Sequence, residues 1–439
     1  MRLAIAPPPA FPTSPLRARS ARRARRPGHE VSTAHLQAAY PFLAEGGLGG
    51  RGVYIGRDAY GQAVAWDPFE LYEMEMISSP NVFIAGQIST RKSAFVKTFL
   101  YRSALFGRYA WVVDVKGEYG RLCRALGGTH LHLRPGGEIK LNPISRLASA
   151  EEQDALLQAV AAAALSRDLR PEEATGLTAA LDVVRDKHRE PILPHVVEVL
   201  LRPETSMAER LVTSVEELAR DVRTVALALM RLCEGELRGM FDGPTTKSID
   251  WNARIIVIDL SEVADSKAVA VLMACATAEI QAQVKNRHRR AEMAQEVTPK
   301  TNGTVDEGWR IYREIKLAEW MQQKLKLCRR WGESNWNVVH RVSDLAATGA
   351  AGSRESALAE GVLAETEIRR IYKQAPDQMR LTRERLGLSA TQAAIVPTLA
   401  PGIALEIIGS RSAIVQHRVS RTELTLIETD EHMHLRKAA

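Results

Sequence analysis

The sequence predicts an α/β protein: a mostly parallel sheet flanked by helices, with an all-helical insertion and a C-terminal β-hairpin. Three observations predict it. Short apolar strands alternate with helix-periodic segments over 81–150 and again from 250, the pattern of parallel strands joined by helical crossovers. Between 151 and 249 strand texture vanishes, and Ala, Leu, Glu and Arg dominate with apolar residues at helical spacing. The apolar strand at 81–86 ends in Gly and runs through a short loop into a helix that begins Lys92-Ser93. A phosphate-binding loop sits at such a corner. Composition permits this fold. Of 439 residues, 45% are hydrophobic and 25% charged, enough for a sizeable core and too apolar for wholesale disorder. No run approaches the roughly 18 apolar residues of a membrane helix.

Residues 1–30 lack periodicity, are rich in Pro, Ala, Arg and Ser, and read as a disordered arm. Residues 31–80 form a small β-containing segment, with a Gly-rich turn at 46–50 and a hairpin pairing 53–56 with 63–66. The core comprises 81–150 and 250–435. It opens with the strand at 81–86, a helix over 92–106, a buried strand over 109–115 and a third strand at 129–133. Within the insertion, 151–249, apolar spacing predicts helices at 153–165, 173–186, 193–201, 208–219 and 222–238. Strand texture returns at 254–260. A long helix over 265–290 follows, then a weak strand ending at Asp306, a helix over 311–330 and a strand at 337–340. Residues 403–408 and 413–419 flank Gly409-Ser410-Arg411-Ser412 as a hairpin.

The net charge of +7 belongs to the arm, where seven arginines from Arg2 to Arg26 stand with no lysine. The rest of the chain is balanced. The high pI therefore says little about the folded surface, and a neutral body argues against extensive DNA contact. The arm suits an anionic membrane surface or nucleic acid, or is a solvated tail. Cys123, Cys233, Cys275 and Cys328 are scattered without metal-ligand spacing and fit buried thiols in a reducing cytosol.

Candidate chemistry gathers first in Gly86-Gln87-Ile88-Ser89-Thr90-Arg91-Lys92-Ser93. Gly86, Lys92 and Ser93 match GxxxxGK[ST], and Arg91 stands where Gly is expected. Backbone N–H groups there would curl around phosphates at a helix N-terminus. The lysine would reach the outer phosphates and the hydroxyl would bind Mg²⁺. Arg91 would either add charge or obstruct the loop. Asp306-Glu307 offers one carboxylate for the Mg²⁺ shell and a second to polarise water. Asp259 is the rival, at the end of a better strand but without a second acid. Asp114 and Glu118, in Asp114-Val115-Lys116-Gly117-Glu118-Tyr119, orient water or metal, or cap a turn. Arg329, Arg330 and Arg341 are candidates by type for an arginine acting on a neighbour's γ-phosphate.

These pieces occur in a recognisable order. The stretch 114–119, Leu141-Asn142-Pro143, Phe241-Asp242-Gly243-Pro244-Thr245, Asp306-Glu307-Gly308-Trp309 and His340-Arg341-Val342-Ser343-Asp344-Leu345 resemble the VirB/TraC-type ATPase family of conjugation and type IV secretion, within the HerA/FtsK group. The likeness spans roughly 40–435 and is greatest to short actinobacterial members. It implies a RecA-like P-loop core, ATP with Mg²⁺, and hexamers or other oligomers at the cytoplasmic base of an envelope channel, peripheral to the inner face of the membrane. Carried over, Lys92 would bind β/γ-phosphate, Ser93 and Asp306 would hold Mg²⁺, Glu307 would be the catalytic base and Glu118 would lie near the nucleotide. Arg329-Arg330 would be the trans-acting arginine region. Relatives usually carry Gly at the positions of Ser89 and Arg91 and an apolar strand before Asp-Glu. The expected role is a motor subunit energising transfer. The alternatives are a hydrolysis-deficient nucleotide-binding or structural subunit, or a DNA translocase.

Overall fold

The computed structural model describes residues 51–343 and 354–427. The arm, the Gly-rich turn at 46–50 and the Asp344-Leu345 end of the last motif lie outside the described residues. Eleven strands form one sheet in the order β2-β1-β11-β10-β9-β3-β8-β7-β4-β6-β5. They are β1 (Val53–Asp58), β2 (Ala63–Trp66), β3 (Val82–Ala85), β4 (Tyr109–Asp114), β5 (Thr129–His132), β6 (Ile255–Asp259), β7 (Thr301–Val305), β8 (Glu333–Val339), β9 (Ile368–Ile371), β10 (Ile403–Ile408) and β11 (Arg411–His417). From β9 to β5 every pairing is parallel. The remaining strands extend one edge antiparallel. The hairpin β1–β2 pairs through β1 with β11, which ties it to the sheet of the core.

Helices α1 (Pro68–Glu73), α2 (Lys92–Ser103) and α3 (Gly120–Ala125) precede the insertion. The insertion carries α4 (Ala150–Leu165), α5 (Pro171–Lys187), α6 (Leu193–Leu201), α7 (Thr205–Arg210) and α8 (Val215–Glu234) and no strand. Its last two helices break at 211–214, not at 220. Ser214 decides this by accepting from the Glu217 N–H, a side-chain cap that starts α8. The crossover helices α9 (Val269–Met293), α10 (Trp309–Tyr312) and α11 (Ile315–Leu327) follow, and then α12 (Arg354–Ala364), α13 (Met379–Leu386), α14 (Ala390–Ile395) and α15 (Arg421–Ile427). The insertion, α9 and α11 pack on one sheet face. Helices α2 and α3 cover the other.

The weak strand expected before Asp306 is present. Thr-Asn-Gly-Thr-Val forms β7, buried at every position between β4 and β8. Its polarity hides a packing constraint. A Cβ on Gly303 would lie 2.2 Å from ring atoms of Trp111 on β4. The glycine is therefore the space that the indole fills. Trp111 Nε1 in turn donates to Glu333 Oε1 on β8 at 2.6 Å. Burial pushes the Glu333 carboxyl up to about 7, against the Trp111 hydrogen bond and the nearby Lys285, Lys324 and Arg287.

Two outcomes follow for this strand pair. Gly303→Ala should cost about 1–3 kcal/mol by overpacking, read as a lowered denaturation midpoint. The folded-state pKa of Glu333 lies above its unfolded value of about 4.3. The native state thus holds an extra proton, and stability falls as pH rises from about 4.3 to 7. Glu333→Gln keeps an acceptor for Trp111 and removes this dependence. Urea titrations at pH about 4 and 8 should show the variant gaining on wild type at the higher pH.

Candidate functional site

Parallel strands end on one rim, and their order sets what meets there. The loop after β3 is anchored at both sides. A Cβ on Gly86 would sit 2.5 Å from Tyr372 Cβ, so nothing larger than glycine fits. The Gln87 N–H donates to Lys373 O at 3.0 Å, and Thr90 Oγ1 donates to Gln87 O at 2.7 Å. Ser89 and Arg91 take φ of +64° and +73°, the left-handed region that glycine favours. The loop thus keeps a glycine-type backbone with side chains on it, at roughly 1–2 kcal/mol per residue. Arg91 does not fill the cradle. Its side chain is exposed, and its Cδ lies 3.5 Å from a Cβ placed on Gly402, at the start of β10. Ile88 and Ser89 are exposed as well. Helix α2 begins at Lys92 with no side-chain cap and no acid in its first turn, leaving N–H groups for an anion.

A chain of contacts crosses the rim from this loop. Lys92 is buried, and its ammonium donates to Gly86 O, to Gln87 O at 2.9 Å and to His340 Nδ1 at 3.2 Å. His340 follows β8, and its Nε2 lies 3.0 Å from Glu307 Oε1. Accepting from lysine at Nδ1 leaves the ring proton on Nε2, where it donates to the carboxylate. Glu307 also pairs with Lys116 and accepts from Trp309 Nε1. Burial works to raise the Glu307 pKa, but His340 and Lys116 hold it well below the usual carboxylate range. An anion engaged by three donors is a weak proton acceptor until a donor leaves. Glu307 itself has φ +57°, a third strained residue at this rim.

Asp306 is fully buried beside it. Its Oδ1 accepts from the Glu307 N–H at 3.1 Å, and its Oδ2 has no hydrogen-bond partner among the described residues. Burial raises its pKa, Lys116 opposes this and Glu307 adds to it. An orphaned carboxylate oxygen at the end of β7, with the Ser93 hydroxyl at the start of α2, is a donor set that fits Mg²⁺ or its water shell.

The other predicted acids divide. Asp114 is a turn cap: its carboxylate accepts from the N–H groups of Lys116, Gly117 and Tyr119 at 3.0, 2.9 and 2.9 Å. Burial, opposed by those bonds, takes its pKa to about 7. Glu118 pairs with Lys97 of α2 at 3.1 Å, within electrostatic reach of Asp306. Asp259 ends β6, four strands from β3, and is engaged by His130 and His132 at 3.2 Å each. The Asp306-Glu307 pair, not Asp259, stands on the Lys92 side of the rim: Glu307 reaches Lys92 through His340, and Asp259 ends a strand two places farther out. Arg329 and Arg330 are exposed just before β8, on the opposite rim, and do not meet the site within their own chain. Sequence reasoning missed His340 and Lys116 as site residues, although both stand in quoted motifs at strand ends. Among the described residues no helix is long and apolar enough to cross a membrane.

No protein-family model matches the chain, and no curated protein does. Solved structures do. VirB4 of Thermoanaerobacter pseudethanolicus aligns with a TM-score of 0.68 at 18% identity, covering 86% of this chain and 100% of that one. The bacterial conjugative coupling protein TrwBdeltaN70, in complex with sulphate, gives 0.55 at 13% identity over 86% of this chain and 97% of that one. TrwB in complex with ADP and Mg²⁺ gives 0.55 at 13%, over 86% and 96%. At these identities the likeness is one of fold: this chain has the α/β P-loop fold of VirB4 and TrwB.

The strained loop makes a prediction of its own. Ser89→Gly and Arg91→Gly should each stabilise the protein by roughly 0.5–1 kcal/mol, the strain relieved less the chain entropy of glycine. Arg91→Val should destabilise it. Chemical denaturation of the three variants beside wild type checks the signs.

Proposed function

We propose that the chain is an ATP-binding and ATP-hydrolysing subunit of the conjugation and type IV secretion motor family. The observation that carries this reading is the preserved loop backbone. Ser89 and Arg91 hold the left-handed angles of a glycine loop around an uncapped helix N-terminus, with Lys92 linked through His340 to Glu307. In this reading the N–H groups at 88–93 bind the phosphates, and Lys92 exchanges its carbonyl contacts for phosphate oxygens. Ser93 and Asp306 hold Mg²⁺, which when bound neutralises charge on the phosphates. Glu307 takes the proton of the attacking water once Lys116 or His340 releases it. Arg329 and Arg330, remote in their own chain, act only on a neighbouring copy, as in a hexameric ring. The assembly sits with channel components, peripheral to the inner face of the membrane.

A second reading, a subunit that binds nucleotide without turning it over, is favoured by the three donors on Glu307. Steady-state phosphate release with Mg²⁺ decides. The proposed motor hydrolyses ATP, and Lys92→Ala and Glu307→Gln each lower the rate about 10²–10³-fold, while Glu307→Gln still binds nucleotide. Wild type that binds nucleotide but releases no phosphate overturns the motor and leaves the second reading. DNA-stimulated release, lost at high salt, would favour the translocase instead.

A further inference from the structure

The rim opposite the nucleotide loop carries cations that the ATP site of their own chain does not use. Four parallel strands begin there, and a cation precedes each: Arg108 before β4, Arg254 before β6, Lys300 before β7, and Arg329-Arg330 before β8. Helix α9 runs antiparallel to the strands and ends on the same rim with Arg287, Arg289 and Arg290. These groups form one patch. Arg254 and Arg287 lie over the Tyr109 ring, at 4.5 and 4.0 Å from its centroid. Arg289 and Arg330 lie over the Trp331 ring, at 5.2 and 5.1 Å. Arg287 donates to Thr301 Oγ1 at 2.8 Å, and Arg254 to Gly107 O at 2.8 Å, which joins the two ends. Arg108 is paired with Asp67 and Glu70. None of the other seven cations forms a salt bridge with a described carboxylate. Glu292, the nearest acid on α9, is taken by His288.

Large apolar side chains stand in water among these cations. Leu105 is 86% exposed, Phe106 51%, Met293 83% and Val297 94%. Leu105 and Phe106 adjoin the Gly107 carbonyl that Arg254 holds, and Met293 and Val297 follow Arg290 at the end of α9. Unpaired cations repel one another unless an anion neutralises them, and the exposed apolar groups beside them gain free energy by entering an apolar phase. An anionic lipid surface supplies both. A nucleic acid supplies only the first. Its phosphates would meet the cations and leave the apolar groups in water.

We propose that the α9 end of this rim is a docking face for an anionic membrane surface, with Arg289 and Arg290 reaching lipid phosphates and Phe106, Met293 and Val297 entering the interface. It uses neither the residues assigned to the nucleotide site nor the Arg-rich arm. The test is sedimentation of the full chain with vesicles of phosphatidylcholine, alone or with about one-third phosphatidylglycerol. Binding is expected only with phosphatidylglycerol and falls at high salt. Arg289→Gln with Arg290→Gln weakens it about thirtyfold, the effect of removing two surface cations. Phe106→Ser with Met293→Ser weakens it about tenfold. All four positions except Phe106 lie on the exposed end of α9, and thermal melts confirm that each variant folds. Binding that is indifferent to both pairs of substitutions places the contact in the arm and overturns the proposal. So does equal binding to phosphatidylcholine alone, or no binding. Salt-sensitive capture of an oligonucleotide, lost with the arginines but not with Phe106 and Met293, overturns it in favour of nucleic acid.

Discussion

A buried ion pair beneath the phosphate loop holds the sheet together. Arg370 on β9 and Glu406 on β10 stand opposite each other in register and pair with almost no exposure. Trp66 Nε1 donates to the same carboxylate, drawing the β1–β2 hairpin onto the core. The Arg370 guanidinium also lies over Phe95 of α2 at 4.0 Å, and Trp66, Phe99 and Trp336 stack around it. One cation thereby links the loop helix, two strands and, through Glu406, the hairpin. A buried pair adds little net stability, but removal of one partner strands the other charge at a cost of roughly 3–5 kcal/mol.

That anchoring explains how the loop at the C-terminal end of β3 tolerates strain. Left-handed Ser89 and Arg91, and left-handed Glu307, persist because rigid strand ends over-determine them. Tyr372, two residues beyond Arg370, closes on Gly86, and its neighbour Lys373 accepts from Gln87. The loop is therefore braced from β9, and its shape does not depend on glycines at every turn.

The parallel sheet also separates two chemistries by polarity. At the strand C-termini the rim reads Lys92, His340, Asp306-Glu307, Asp114, Asp259 and the two histidines of β5, in the order of the strands. At the strand N-termini it reads as cations and exposed apolar groups. Neither row is visible in the balanced charge of the body, because the count sums over both.

Much of the fold was legible from local pattern. The apolar strands β3, β4, β6 and the β10–β11 hairpin announce themselves, as do the loop and the helices of the insertion, because periodicity reports burial on one face. Three things were not legible. Strand β9, Ile-Arg-Arg-Ile, looks like surface until Glu406 neutralises it, and the burial of β7, too polar to read as a core strand, is explained only when Trp111 fills the place of its missing side chain. The roles of His340 and Lys116 depend on strands far apart in sequence meeting at one rim. The sequence by itself determined which segments bury apolar surface and where a phosphate loop stands, since both rest on neighbours within a few residues. Tertiary structure alone decided whether Arg91 blocks that loop, which acid faces Lys92, and what restrains Glu307. Those are matters of strand order and of partners tens to hundreds of residues away, and no local spacing encodes them.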